Sequence, residues 1–342
     1  MRILVTRNDK LGDVILATPV IASLSASFPE AEVWFLVRPL YEELFQGHPH
    51  LKGVLTDRGG RAGFLQLLDQ VRRLNFDAAL ILFSDFRMGL LSFLAGIPLR
   101  IGPASKPAQI FYNKRIWQHR SRAERSETDY NLELAQALGA TPLRQLDVAT
   151  SAGAKASVAA FFAGLQRDRS KPLIGVHPGS GGSDRNWRPE RYAEFMQAAV
   201  RELGADIFIT SGPDDKDVLR RVTAKFTDKY FAYPPGHGLQ VLAEILRHVD
   251  VFVSGSTGPM HLAAAVGTPT VSLFSPLRVA RPERWGPLGN PQVTLQPDLP
   301  VCHKCRPRKC GHPYCVELVS TKQVLEAARG LLPCPTLNQA PQ

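Results

Sequence analysis

Short apolar runs alternate with amphipathic stretches along this chain; the alternation lapses near residue 140 and restarts near residue 171. Strands separated by helices build parallel sheets with helices on both faces, so this order confines the fold more than any other feature. In the first set, Ile3–Thr6, Val33–Val37, Gly53–Leu55 and Ala79–Phe83 read as strands. Helices are predicted near Thr18–Phe28, Tyr41–Gln46, Phe64–Leu74 and Met88–Ala95. A polar helix over Glu127–Leu138 and an alanine-rich one over Ala154–Leu165 follow. In the second set, Leu173–His177, Ala205–Thr210, Tyr230–Ala232, Val251–Val253 and Thr270–Phe274 read as strands. The intervening helices are Pro189–Leu203, Lys216–Phe226, Leu239–Val249 and Met260–Val266. The expected fold is α/β, with two Rossmann-like domains (residues 1–165 and 166–342) whose parallel sheets face across a cleft. Chemistry is then expected in loops at the carboxyl ends of strands.

A hydrophobic content of 44% with 21% charged residues reads as soluble and globular. No apolar run is long enough to span a bilayer, and the start, Met1-Arg2-Ile3-Leu4, lacks a signal-peptide layout, so the cytoplasm is the expected location. The net charge of +10 predicts an anionic partner. No nucleic-acid-binding motif accompanies the cations, which favours a phosphate-rich ligand or a lipid surface over nucleic acid.

Three loops carry candidate chemistry. Arg7-Asn8-Asp9-Lys10-Leu11-Gly12-Asp13 follows the first strand, and Thr18-Pro19 reads as a helix start with Thr18 as N-cap. A carboxylate near a helix N-terminus favours its charged form, so Asp13 is expected to be ionised, with lowered basicity; it is either a proton acceptor or a cap. His177-Pro178-Gly179-Ser180-Gly181-Gly182-Ser183-Asp184-Arg185-Asn186-Trp187 forms a flexible anion cradle in which Arg185 offers a forked donor to a diphosphate. Neither a Walker motif nor a dinucleotide fingerprint is present. Ser254-Gly255-Ser256-Thr257-Gly258-Pro259 places unpaired N–H groups and hydroxyls at the start of a helix, a favourable place for phosphate.

Gly12-Asp13-Val14-Ile15-Leu16-Ala17-Thr18-Pro19, His177-Pro178-Gly179-Ser180 with Arg185-Asn186-Trp187, and Ser256-Thr257-Gly258-Pro259-Met260-His261-Leu262-Ala263 together resemble the signatures of glycosyltransferase family 9, the ADP-heptose:lipopolysaccharide heptosyltransferases. Arg284-Trp285-Gly286-Pro287-Leu288-Gly289 resembles a late motif of the same family. The resemblance implies a GT-B fold with the acceptor on the N-terminal domain and the nucleotide-sugar on the C-terminal one. It implies an inverting displacement in which Asp13 deprotonates the acceptor hydroxyl. Ser180, Arg185, Asp215, Ser256, Thr257, Gly258 and His261 are then the donor-side candidates, and Lys10, Arg87 and Arg100 the acceptor-side ones. No metal is required for catalysis. The implied partners are ADP-heptose or a related nucleotide-sugar, and the lipopolysaccharide inner core or a similar anionic glycolipid, met peripherally at the inner face of the cytoplasmic membrane. Two positions depart from the family pattern: Ser256 stands where members commonly carry aspartate, and Arg185 where they carry lysine. The alternatives are a nucleotide-sugar epimerase of the same fold and an inactive sugar-nucleotide-binding relative.

Cys302, Cys305, Cys310 and Cys315 are spaced Cys-x2-Cys-x4-Cys-x4-Cys. In a cytosolic chain such density suggests a structural zinc before an iron–sulfur cluster, with disulfides or free thiols as the other options. Cys334 stands apart in a Pro-rich tail.

Overall fold

A computed structural model describes residues 1–232, 236–306 and 310–333. The first domain runs β1 (Arg2–Thr6), α1 (Leu11–Ile15), α2 (Thr18–Ser27), β2 (Glu32–Val37), α3 (Pro39–Glu42), β3 (Gly53–Thr56), α4 (Gly60–Leu74), β4 (Ala78–Ile81), α5 (Phe86–Leu94), β5 (Leu99–Pro103), β6 (Lys114–Ile116) and α6 (Glu127–Leu138). After α7 (Ala152–Gly164) come β7 (Leu173–His177), α8 (Pro189–Leu203), β8 (Asp206–Ile209), α9 (Lys216–Thr223), β9 (Tyr230–Ala232), α10 (Leu239–Arg247), β10 (Val251–Gly255), α11 (Gly258–Ala265), β11 (Thr270–Leu273), α12 (Pro282–Trp285), β12 (Gln292–Leu295) and α13 (Thr321–Leu331).

Each domain holds one six-stranded sheet, ordered β3-β2-β1-β4-β5-β6 and β12-β11-β10-β7-β8-β9, with every pairing parallel. The central strands are apolar on both faces: β4 and β7 are buried along their whole length. Strands covered by helices on both sides have no solvent face to leave polar. Counted within its own domain, each sheet has the strand order of a dinucleotide-binding fold. Its direction reverses between β1 and β4 in the first domain and between β7 and β10 in the second, the switch points where such sheets bind ligands.

One apolar core runs from Ile3 and Val5 of the first sheet through α11 residues Leu262 and Ala263 to Phe252 of the second, so the domains share buried surface. Helix α7, which the sequence reading assigns to the first domain, packs instead on α10, and its Phe161 lies edge-on to Phe208 of β8 at 6.2 Å. Thr18 begins α2 but is not its cap. Ala17 occupies that position, and the Thr18 hydroxyl donates back to the Ile15 carbonyl (2.8 Å). No helix among the described residues is long and apolar enough to cross a membrane.

Candidate active site

The loop after β1 puts a buried cation beside the candidate base. Arg7 follows an apolar strand into the interior, where it is 1% exposed, so each guanidinium donor has to find a partner there. Nε donates to Asp9 Oδ1 (2.8 Å), Nη1 to Glu127 Oε1 (2.9 Å) and Asn131 Oδ1 (3.1 Å), and Nη2 to Asp13 Oδ1. Burial of Asp13 outweighs the attraction of Arg7, and with Asp9 and Glu127 nearby its carboxyl is pushed up to about 6. This corrects the lowered basicity expected from helix α1: Asp13 is a stronger base than an exposed aspartate, yet ionised at neutral pH.

Glu127, fully buried at the start of α6, gathers three guanidiniums. Besides Arg7, Arg120 Nη1 donates to its Oε1 (2.5 Å) and Arg284 Nε to its Oε2 (2.9 Å). Burial alone would raise this carboxyl; the three cations hold it down to about 2. Arg284 belongs to α12 of the second domain, and its Nη1 also reaches the Arg120 carbonyl (3.0 Å). The motif Arg284-Trp285-Gly286 thus ties the second domain to the group that orients Arg7, which in turn holds Asp13. Sequence reading missed Arg7, Glu127 and Arg284 as a unit because they meet only through the fold.

Across the cleft, α11 meets α1 with almost no clearance. A Cβ on Gly12 would lie 2.6 Å from His261 Cδ2, and one on Gly258 would lie 2.8 Å from Leu11 Cβ. Two glycines therefore let the start of α11 approach the loop that carries Asp13. The Thr257 hydroxyl, at the N-cap, makes no capping bond to the helix, and Pro259 removes one N–H from the first turn. The N–H groups of Gly258 and Met260 are left as helix-start donors, a fit for an anion. His261, a donor-side candidate, lies one turn into this helix. Its ring is buried against Gly12, Nδ1 has no partner, and burial drops it to about 4, so it packs as a neutral imidazole.

The loop after β7 is held from beneath. Asn186 accepts from the Trp187 N–H (3.0 Å) and the Tyr192 hydroxyl (2.6 Å) and donates to the Pro178 carbonyl (2.9 Å). Asp184, unremarked in the sequence, accepts from the Ser275 N–H (2.9 Å) and hydroxyl (2.5 Å). Asp215 is buried against Gly179 and takes the Gly212 N–H (2.7 Å), so it braces this loop from inside. Ser180 and the exposed Arg185 remain at the surface of the cradle. Ser256, beside Thr257, is buried, with its N–H bonded to the Leu273 carbonyl (3.0 Å).

The three candidate acceptor-side cations separate. Lys10 crosses the cleft to Ser183 Oγ (3.4 Å), which puts its charge on the donor-side cradle. Arg87 forms a forked pair with Asp57 (both contacts 2.7 Å) at the carboxyl ends of β3 and β4. Arg100 lies in β5 opposite Ala79 of β4, where its Nε donates to the Phe111 carbonyl (2.7 Å) and its Nη1 to that of Ile97, and the guanidinium lies over the Phe93 ring.

All four thiols Cys302, Cys305, Cys310 and Cys315 are free. Among the described residues no three His, Cys, Asp or Glu side chains come together as a group able to hold a metal ion. The segment instead reaches the donor side: Arg185 Nε donates to Cys305 Sγ (3.1 Å), and Cys302 exchanges backbone bonds with Pro276 and Arg278 (both 2.8 Å). Cys334 lies outside the described residues.

The profile of "Glycosyltransferase family 9 (heptosyltransferase)" matches residues 64–314. A Haemophilus influenzae protein provisionally named a glycosyltransferase is 32% identical over 84% of this chain and 86% of its own length. The lipopolysaccharide core heptosyltransferase OpsX of the same organism is 26% identical over 81% of this chain and 80% of its own. The solved structure of the Escherichia coli ADP-heptose lipopolysaccharide heptosyltransferase II superposes with a TM-score of 0.79 at 20% identity, covering 97% of this chain and 98% of that one.

Proposed function

The chain belongs to glycosyltransferase family 9, the heptosyltransferases, and on that footing we propose that it moves a heptose or closely related sugar from ADP-heptose to an anionic glycolipid of the lipopolysaccharide inner-core type, at the inner face of the cytoplasmic membrane. The observation that carries the reading is the meeting of the two switch points. A carboxylate of raised basicity sits on the Asp13 loop, and the start of α11 is pressed against that same loop.

The acceptor hydroxyl gives its proton to Asp13 as its oxygen attacks the anomeric carbon, and the bond from that carbon to the diphosphate breaks. Charge that grows on the leaving ADP is met by the N–H groups of Gly258 and Met260, by the Thr257 and Ser180 hydroxyls, and by Lys10 and Arg185. Arg185 brings a planar fork to the diphosphate in place of a point charge. The buried Ser256 occupies the place of the missing carboxylate, so donor-sugar selectivity rests on the remaining contacts. Because fixed cations and helix-start donors offset the leaving charge, the proposed step routes nothing through a divalent ion.

A donor panel with purified protein and a deacylated core acceptor tests the reading. ADP-heptose is expected to give the highest kcat/KM, with the rate unchanged by a chelator. Hydrolysis or epimerisation of the donor with no glycosylated acceptor would overturn it.

A further inference from the structure

From Phe86 to Ala123 the chain contains no acidic residue but seven cations: Arg87, Arg100, Lys106, Lys114, Arg115, Arg120 and Arg122. Within it, α5 breaks the usual rule for a surface helix. Its inner face buries Met88 and Leu91, and its outer face is apolar too, with Phe86, Phe93 and Leu94 exposed. The turn Pro107–Phe111 packs against α5 and adds Ile110, which is 63% exposed. Phe111 knits the two together, with ring contacts to Phe86 (4.9 Å) and Phe93 (5.8 Å). Trp117, 74% exposed, stands where β6 leaves the sheet. A contiguous apolar face of this kind marks an interaction site.

The charge around it says what covers it. Arg87 and Arg120 are neutralised by Asp57 and Glu127, but Arg100, Lys106, Lys114 and Arg115 have no carboxylate partner among the described residues. Arg100 lies on Phe93 and Arg115 donates to the Tyr112 carbonyl (3.1 Å), so uncompensated cations rim the aromatic cluster. Apolar rings surrounded by bare Lys and Arg complement acyl chains beneath anionic headgroups. The face also adjoins the reaction site. Phe83 carries Lys106 on its ring at 4.7 Å and Arg7 at 5.5 Å, and Arg7 holds Asp13.

We propose that α5 and the Pro107–Phe111 turn form the surface on which this protein docks to an anionic lipid bilayer. Docking there sets the Asp13 cleft at the membrane plane. The inference rests on the proposed glycolipid acceptor, which such docking presents from the bilayer.

Co-sedimentation with phosphatidylcholine vesicles, with and without phosphatidylglycerol, tests it. The wild type is expected to bind only the phosphatidylglycerol vesicles, to be released by salt, and to shift Trp117 emission to the blue on binding. Removing two cations at an anionic surface is expected to weaken partitioning about thirty-fold, so Lys114→Glu with Arg115→Glu loses at least that much. Phe93→Ser with Ile110→Ser abolishes retention. Both double variants keep wild-type transfer to the deacylated acceptor, a control that also reports misfolding. Failure of the wild type to sediment, or variants that sediment like it, would overturn the assignment. So would a dimer dissociated by Phe93→Ser/Ile110→Ser with vesicle binding intact, since the face is then a self-contact. Absence of transfer to the deacylated acceptor by the wild type instead sinks the proposed function and leaves the vesicle result standing.

Discussion

Asp13→Asn is expected to lower kcat for sugar transfer about 10³-fold while leaving nucleotide-sugar affinity unchanged. The amide keeps the size of the side chain and its contact with Arg7, but it cannot take the acceptor proton. Donor contacts lie on the second domain, apart from Lys10, so calorimetric titration of ADP should match the wild type. A variant that transfers at near-normal rate would remove Asp13 from the reaction. A variant that loses ADP binding as well would show that it lost structure.

The next largest effect is expected at Glu127. Replacing it with Gln keeps the shape and removes the one charge that Arg7, Arg120 and Arg284 share, leaving the buried Arg7 and the partly buried Arg120 and Arg284 facing a neutral group. Breaking a buried ion pair from one side costs about 3–5 kcal/mol, and a large part of that is expected as a lower denaturation midpoint. The pH dependence has a definite sign. Glu127 is depressed from its ordinary 4.5 to about 2, so its contribution is complete above pH 4.5 and is lost as pH falls towards 2. The stability of wild type and E127Q should therefore converge in acid.

The same substitution also reaches the base. Glu127 is one of the charges that raise Asp13, so the acid limb of kcat/KM, expected at about pH 6 in the wild type, should move to lower pH in E127Q. A purely structural Glu127 would lower stability and leave the limb in place.

The sheet centres were legible because burial on both faces writes an unbroken apolar run. β7, between β10 and β8, falls where the pattern places it, and so does helix α8. Of the outer strands, β3 and β9 were read and β6 and β12 were not. β6 reads Lys-Arg-Ile, since an edge position tolerates charge and so carries no strand signature; β5 beside it ends in Gly-Pro, which reads as a turn. α1 is only five residues long and contains Gly12, which has no propensity signal and is there for clearance against His261.

At the site, loops built from glycine and hydroxyl residues after strands announced themselves, and Asp13 and Thr257 were singled out that way. Arg7 and Glu127 were invisible because they stand 120 positions apart and acquire meaning only as partners. One clue was available: a charged residue directly after a fully apolar strand has to be paired if it stays inside. His261 was picked out by its place in a motif and Arg100 by its place on the acceptor-side domain; the fold lays the one ring against a glycine and turns the other side chain to backbone carbonyls, neither of which the sequence announces.

The claim on which the account turns is a single displacement driven by Asp13, and the anomeric configuration of the product reads it directly. NMR of the glycosylated acceptor should show the transferred sugar inverted relative to the ADP donor. Retention of the donor's configuration would require a second displacement through another group and would contradict the account.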